Sequence, residues 1–573
     1  MMSRISYRMI AWLLVFFLSL SSVACSSFIF EGDVPVTMSD GVVLPVNIAR
    51  PADDGKYPVI LLRTPYGKPG EDNGDMKSYA QAGYVMVVQD CRGTGKAGGE
   101  WEPFLHDPQD GLETQAWIAE QPWCDGRIGL SGGSYVGWTQ WASLPGARPE
   151  VRCAVPVVPF AECYPDLAYQ GGAFQLALLM GWGAMMGGAG LTEESAQEAF
   201  RYLPLNTFGN QFKKPVPYLN AWVEHADPSG DYWRLRGING RYSEIEAAVL
   251  NIGGWYDIFS KPVLDLCTRV RQESTSEFAR KNQHVVVGPW AHGVGARKVG
   301  ALDFGADAET KIHKLQFDWF EHWLKDKDTG VEAWPPCRIF VMGENRWRNE
   351  NEWPLARTVY TPFYLHSSGS ANTRSGDGTL SKELPSEEAA DRFVYDPENP
   401  VPTAGGNNLF GAPAGPFDQS ALEERADVLV YTSEVLEEAL EVTGPVHMIL
   451  HAASSAPDTD FTAKLLDVHP DGKAYNLCDG IVRARFRRGM DQELFLTPGE
   501  AVEMDIDLWV TSNLFLPGHR IRVEISSSNF PRFDRNPNSG LPFGTDTVLH
   551  PAEQTVFHDS LRPSHILLPV IPR

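Results

Sequence analysis

The chain has 573 residues, with 73 acidic against 49 basic side chains and a formal charge of −24. That excess repels nucleic acid and anionic membrane surfaces, and no Lys/Arg-rich run offsets it. An apolar fraction of 43% with 17 tryptophans excludes a mostly disordered chain, and the length exceeds one ordinary core, so two or three domains are expected.

The first element is a targeting segment. Arg4 and Arg8 precede an apolar stretch at 10–20, and Ser22-Val23-Ala24 presents small residues for cleavage. This is the layout of a secretory signal over residues 1–24. The apolar stretch is short for a bilayer span, which takes about 20 residues. Cys25 follows directly, as in a bacterial lipoprotein, although Ser22 stands where such signals usually carry Leu. Simple release, membrane attachment through lipidated Cys25 and an uncleaved anchor all stay open. The expected location is outside the cytoplasm: periplasmic, outer-membrane-attached or extracellular. The eight cysteines show neither CxxC nor Cys/His ligand spacing, so buried free thiols are expected rather than a zinc site.

Short strands are expected over 33–50 around the turn Ser39-Asp40-Gly41, then compact apolar strands at 57–62 and 84–89. Helical periodicity marks 107–121. A buried strand at 128–130, a small-residue helix through Trp141 and a strand at 155–158 follow. Apolar, non-alternating strands separated by helices indicate a mostly parallel sheet covered on both faces. Between 165 and 246 the pattern turns helical, at 174–186, 193–202 and 218–225, which suits a cap over a pocket. Strands at 249–252 and 284–287 and a helix at 311–325 resume the alternation. Beyond 331, strand-like segments at 337–342, 426–431, 446–452, 482–487, 501–510 and 520–526 lie between Gly, Pro, Asn and Asp, with a polar loop at 367–388. This predicts an all-β domain of two packed antiparallel sheets. The expected architecture is an α/β catalytic core at 32–160 and 247–330, a helical cap at 161–246 and a β domain at 331–573.

Gly132-Gly133-Ser134-Tyr135-Val136-Gly137 is the sharpest chemical signal. A serine between a buried strand and a helix sits on a strained turn that only small neighbours tolerate, and the turn aims backbone N–H groups, that of Tyr135 among them, at a developing oxyanion. The spacing departs from G-x-S-x-G, since Val136 precedes the glycine, and alone it is also compatible with an ordinary glycine turn. Two further strand ends supply what a nucleophilic serine needs. Asp257 follows the strand at 249–252 and His292 follows the strand at 284–287, so the chain order Ser134, Asp257, His292 is that of α/β-hydrolases. Ser131, at the end of the strand before the Ser134 turn, and His284, at the other end of its strand from the His292 loop, read as structural. Tyr66, in a Pro-Tyr-Gly turn after an early strand, is either a second oxyanion donor or a packing aromatic.

Other groups weigh less. Asp90 and Arg92 are expected to pair with each other, and Gly93-Thr94-Gly95-Lys96 lacks the full spacing of a phosphate loop. Phe160, Tyr164, Tyr169, Phe174, Trp182 and Trp222 offer an aromatic roof or plain core. Glu162 and Asp166 are candidates for holding a substrate ammonium, with surface carboxylates as the plainer account. Asp458, Asp460 and Asp467 lack a calcium-loop pattern.

At Arg63-Thr64-Pro65-Tyr66, Gln89-Asp90-Cys91-Arg92-Gly93, Trp123-Cys124-Asp125-Gly126, the Ser134 motif, Gly254-Trp255-Tyr256-Asp257 and Gly288-Pro289-Trp290-Ala291-His292, the chain resembles a known family. It is the family grouping cocaine esterase, X-Pro dipeptidyl-peptidases, α-amino acid ester hydrolases and glutaryl-cephalosporin acylases, with the cocaine-esterase branch nearest. Leu477-Cys478-Asp479-Gly480-Ile481, Leu516-Pro517-Gly518-His519-Arg520 and Ser526-Ser527-Ser528-Asn529-Phe530-Pro531 carry the likeness into the β domain. The resemblance implies an α/β-hydrolase core, a helical cap and a C-terminal jelly-roll domain. It implies Ser134 as nucleophile, His292 as base, Asp257 as orienter, and the Tyr66 hydroxyl with the Tyr135 N–H as oxyanion hole. No metal or cofactor is implied. The expected function is hydrolysis of small ester or amide substrates. X-Pro dipeptidyl-peptidase, amino-ester hydrolase or β-lactam acylase activity, and carbohydrate binding or adhesion through the β domain, stand as alternatives.

Overall fold

The computed structural model describes residues 28–572. The expected signal segment and Cys25 lie outside the described residues, and among these no helix is long and apolar enough to cross a membrane.

The core is one ten-stranded sheet. Its strands are β1 (Phe28–Val34), β2 (Val46–Pro51), β3 (Tyr57–Thr64), β4 (Val85–Asp90), β5 (Cys124–Gly133), β6 (Val151–Val157), β7 (Ala248–Gly254), β8 (Gln283–Gly288), β9 (Cys337–Val341) and β10 (Arg346–Glu350). They lie in the order β1-β2-β4-β3-β5-β6-β7-β8-β9-β10. The run from β4 to β9 is parallel, and β1, β2 and β10 are antiparallel edges. The strand near 337, expected in the β domain, pairs in parallel with β8 from Val285↔Cys337 onward, so the large sheet runs on to Glu350. Its apolar run carries no mark of which sheet it joins.

Alternate residues of β3 serve opposite faces, as period-two geometry requires. Ile60 belongs to the layer holding Trp319, Phe320 and Leu324 of helix Ile312–Lys325, which are spaced to lie on one side of that helix. Val59 and Leu61 face the layer holding Trp138 and Trp141 of the helix Tyr135–Ala142. The first helix among the described residues, Gly74–Gln81, and the helices Ser260–Glu273 and Glu277–Lys281 were not apparent in the apolar pattern. The first has only two buried residues, Met76 and Ala80, and rests on Asn73, whose side chain caps the Met76 N–H.

The cap between β6 and β7 carries helices Leu176–Met186, Glu193–Ala199, Pro217–Glu224 and Asp231–Arg234. The first is buried on nearly every side, which explains why its sequence is apolar throughout. Thr192 starts the second with a reciprocal cap to Ser195, and Pro217 opens the third, where its missing N–H costs nothing.

The C-terminal domain is all-β. Its longest strands, Leu440–Ser454 and Val502–Phe515, pair antiparallel from Leu440↔Phe515 to Ala452↔Val502, with a register shift beside Pro445. The strand expected at 482–487 is displaced: the strand is Ala474–Arg483, and Ala484–Phe486 turns away as a short 3-10 helix. The polar stretch at 367–388 is mostly loop, with one short strand, Thr379–Ser381. This domain holds the base of the cap. The Arg483 N–H donates to the Gly171 carbonyl at 2.8 Å, Ala177 N–H to Pro531 at 3.0 Å, and Phe174 N–H to the Asp534 carboxylate at 2.8 Å. Arg483 is buried there between Asp460 and Asp534, at 2.9 and 2.8 Å. A cavity of about 30 Å³ lies along this seam, lined by Leu176, Phe200, Arg483, Asp534 and Phe543, and it includes none of Ser134, Asp257 or His292.

Candidate active site

Three strand ends converge at one edge of the large sheet. Ser134 follows β5 directly and has φ 60° and ψ −125°, a strained conformation for a side chain with a Cβ. The strain is held from both sides: the Ser134 N–H donates to Val157 at 2.9 Å, and its carbonyl accepts from Gly137 and Trp138 at 2.8 and 2.9 Å. Gly132 must be glycine, because its φ is 130° and a Cβ there would meet Val136 Cγ1 at 2.1 Å.

The next two ends are hydrogen-bonded to each other. Trp255 N–H donates to Gly288 and Tyr256 N–H to Trp290, both at 2.9 Å, so the loops carrying Asp257 and His292 form one unit. Gly254 permits this approach, since a Cβ would lie 2.1 Å from the Trp290 carbonyl. Asp257 is fully buried, and one of its oxygens accepts from the Phe259 N–H at 2.9 Å. Its other oxygen is 2.6 Å from His292 Nδ1, and His292 Nε2 is 2.9 Å from Ser134 Oγ. A hydroxyl on an imidazole that is itself held by a carboxylate can pass its proton to the ring as it attacks a carbonyl carbon.

Tyr66 and Tyr135 stand beside the serine. Tyr66 is 49% exposed, and Trp182 Nε1 donates to its hydroxyl at 3.3 Å. Burial pushes this phenol up to about 12, so it stays protonated and able to donate. Tyr135 opens the helix after Ser134, where no preceding turn offers its N–H a carbonyl. Its side chain points away: the hydroxyl donates to Asp107 at 2.6 Å and accepts from the Phe104 N–H at 2.9 Å. Arg63 ties the early strand to the same corner, donating to Gln89 and to the Asp107 carbonyl, both at 2.8 Å. Sequence reading gave Arg63 and Asp107 no role, although Arg63 lies in one of the quoted motifs.

Other candidates fall elsewhere. Glu162 accepts from the Gly240 and Asn239 N–H groups at 3.0 and 3.3 Å. One Asp166 oxygen accepts from Ala161 and Glu162 at 3.1 and 2.9 Å. Both carboxylates therefore close backbone turns. Asp90 and Arg92 do not pair with each other: Asp90 faces Lys68 at 3.2 Å, and Arg92 faces Asp110 and Asp40, both at 2.6 Å. Arg92 lies past the strand end, and each side chain is claimed by a closer group from another segment. Lys96 of the glycine turn meets Asp33 at 2.5 Å. Asp458 pairs with Arg485 and Asp460 with Arg483, both at 2.9 Å, while Asp467 bonds His519 at 2.7 Å. His284 bonds the Pro335 carbonyl at 2.9 Å, and Ser131 is buried in β5. The seven cysteines among the described residues are buried and free.

Trp138, Phe160 and Phe259 pack in series toward His292, with Phe259 5.9 Å from the imidazole. Trp182 stacks at 5.8 Å on Tyr135 and at 6.1 Å on Trp222, and so forms a roof from the cap.

Fold and site define a serine hydrolase with an α/β-hydrolase core, and the comparisons agree. Residues 40–294 match the model of the X-Pro dipeptidyl-peptidase (S15) family, and residues 329–567 match the X-Pro dipeptidyl-peptidase C-terminal non-catalytic domain. Cocaine esterase of Rhodococcus sp. (strain MB1 Bresler) is 38% identical over 575 residues, covering 94% of this chain and 98% of the relative. An aminopeptidase of a marine sediment Thaumarchaeota archaeon superposes with a TM-score of 0.82 at 24% identity, covering 97% of this chain and 98% of that one. An α-amino acid ester hydrolase superposes with a TM-score of 0.75 at 24% identity, over 99% and 100% of the two chains. The chain belongs to the S15 family, together with cocaine esterase.

Proposed function

We propose that this protein hydrolyses small esters, and amides of similar shape, through an acyl-enzyme on Ser134. The observation that carries the reading is the position of His292, 2.9 Å from Ser134 Oγ and 2.6 Å from Asp257. His292 takes the serine proton as Oγ attacks the substrate carbonyl. The Tyr66 hydroxyl and the Tyr135 N–H receive the negative charge that forms on the carbonyl oxygen. His292 then protonates the leaving group, and water repeats the sequence to release the acid. Asp257 orients the imidazole and stabilises it when charged.

An ester with a neutral, apolar acyl group suits the site better than a free α-amino substrate. The roof is aromatic, and Glu162 and Asp166, the carboxylates considered for an ammonium, are occupied by backbone N–H groups. The 38% identity to cocaine esterase favours the same reading. We further read the β domain as a jelly roll. We take the protein to be exported through its N-terminal segment, with the Cys25 thiol as the group to which a lipid would attach.

The test is reaction with a fluorophosphonate probe, followed by rates on aryl esters, α-amino esters, β-lactam side-chain amides and Xaa-Pro amides. Labelling at Ser134 is expected, with aryl esters the fastest class and Ser134→Ala inactive. Hydrolysis retained in clean Ser134→Ala protein would overturn the assignment.

A further inference from the structure

We propose that Asn407, a residue of the C-terminal domain, is a positioning residue for Asp257, so that the hydrolytic site is completed by the β domain. The proposal rests on the triad reading above and adds a fourth residue to it. Asn407 Nδ2 lies 2.6 Å from the Asp257 carbonyl oxygen, 3.1 Å from that of Trp255 and 3.0 Å from Ser260 Oγ. Asn407 is 5% exposed, so these contacts do not compete with bulk water. A primary amide offers two N–H donors, which matches two carbonyls on either side of one turn.

The turn between β7 and the helix Ser260–Glu273 is the element that sets the Asp257 carboxylate. From the catalytic side it is held by Gly288 and Trp290, through the N–H groups of Trp255 and Tyr256. From the β domain it is held at three consecutive residues. Asn407 takes the carbonyls of Trp255 and Asp257, and the Tyr256 hydroxyl donates to the Asn476 carbonyl at 3.1 Å.

The two β-domain contacts are coupled. Gly406 and Gly415 exchange N–H···O bonds of 2.7 and 2.9 Å across the Asn407 loop. The Asn476 side chain accepts from Phe417 at 2.8 Å and donates to Gly415 at 3.4 Å. Loop and strand thus present Asn407 and the Asn476 carbonyl as one surface. Asp257 has one oxygen on the Phe259 N–H and the other on His292, so its orientation follows the turn. A turn released on the β-domain side would carry the carboxylate off the imidazole, and small misplacements of catalytic groups cost rate steeply.

The experiment compares Asn407→Ala and Asn407→Asp with Asn408→Ala in the full-length protein. Asn407→Asp keeps the shape and replaces the donor by an acceptor facing two carbonyls. Asn408 bonds the Gly405 and Pro413 carbonyls of the same loop and is not among the residues holding the Asp257 turn, so it reports loop disturbance alone. The readouts are kcat and KM on an aryl ester and the second-order rate of fluorophosphonate labelling at Ser134. Both are expressed per titrated active site, so that loss of folded protein does not imitate loss of rate.

Both Asn407 variants are expected to lose about 10- to 100-fold in kcat and in labelling rate. KM should stay within about two-fold, and Asn408→Ala should keep both rates within about two-fold. Unchanged per-site rates in the Asn407 variants would overturn the proposal, as would an equal loss in Asn408→Ala. Absence of labelling at Ser134 in the unmodified protein would instead overturn the triad reading itself.

Discussion

Trp182, on the cap helix Leu176–Met186, donates its indole N–H to the hydroxyl of Tyr66 at 3.3 Å. The cap therefore does more than roof the pocket: it fills one acceptor position of the phenol and leaves its proton free to point toward Ser134. Replacing Trp182 by Phe keeps an aromatic surface and removes this bond, worth about 1 kcal/mol. A fall in kcat of about five-fold is expected, larger than any rise in KM. Steady-state kinetics on a small ester checks it, and a change confined to KM would assign Trp182 to binding.

Tyr66 itself should matter more. A proton donor aimed at a developing oxyanion typically contributes about 100- to 1000-fold in kcat. Tyr66→Phe removes only the hydroxyl from a half-exposed residue, so the fold should stand. Circular dichroism unchanged alongside a kcat loss of that size is the expected pair of results, and near-normal turnover would return Tyr66 to a packing role.

Asp166 gives a pH dependence. Burial, with a smaller contribution from the neighbouring Glu162 charge, raises its carboxyl from 3.8 to about 6 in the folded state. A raised folded value means that the folded protein holds the proton more tightly than the unfolded chain. The stability this contributes is complete below about pH 4 and is lost as pH rises through about 6. Asp166→Asn preserves an oxygen for the Ala161 and Glu162 N–H groups and cannot ionise. Urea unfolding at pH 5 and pH 8 should show a smaller difference in this variant than in the parent. Ester turnover at pH 8 should be unchanged, since its carboxylate closes a turn rather than meeting substrate.

The seam between cap and β domain rests on Asp534. It accepts from the Phe174 N–H at 2.8 Å and pairs with buried Arg483 at 2.8 Å. Asp534→Ala leaves Arg483 with Asp460 alone and orphans a cap N–H. Removing one partner of such a buried pair costs about 3–5 kcal/mol. Earlier urea unfolding is expected, together with faster proteolysis within 165–246; unchanged denaturation would show that Asp460 suffices for Arg483.

Much of the site was legible because its parts are local. Ser134, Asp257 and His292 each stand just past a buried apolar strand, and each is preceded by glycines that allow the backbones to close up. Those are features of a few consecutive residues. Asp90 and Arg92 show where such reading stops. They are two positions apart and opposite in charge, yet each is claimed by a closer group, Lys68 for one and Asp110 for the other. The strand Cys337–Val341 is a second case, since an apolar run states that it is buried and not beside what.

By itself, the sequence determined the α/β order, the helical insertion, the β-rich second half and the serine, aspartate and histidine that the sheet brings to one edge. Each follows from the period of apolar residues and the placement of glycine, both set by the chain's own backbone geometry. Only the tertiary structure decided that Trp182 reaches Tyr66 from the cap, that Glu162 and Asp166 close turns, and that Asn407 meets the Asp257 turn across 150 residues. A hydrogen bond is made or lost over a few tenths of an ångström. Which distant side chain falls within that reach depends on how the three parts of the molecule pack together, and no local pattern encodes it.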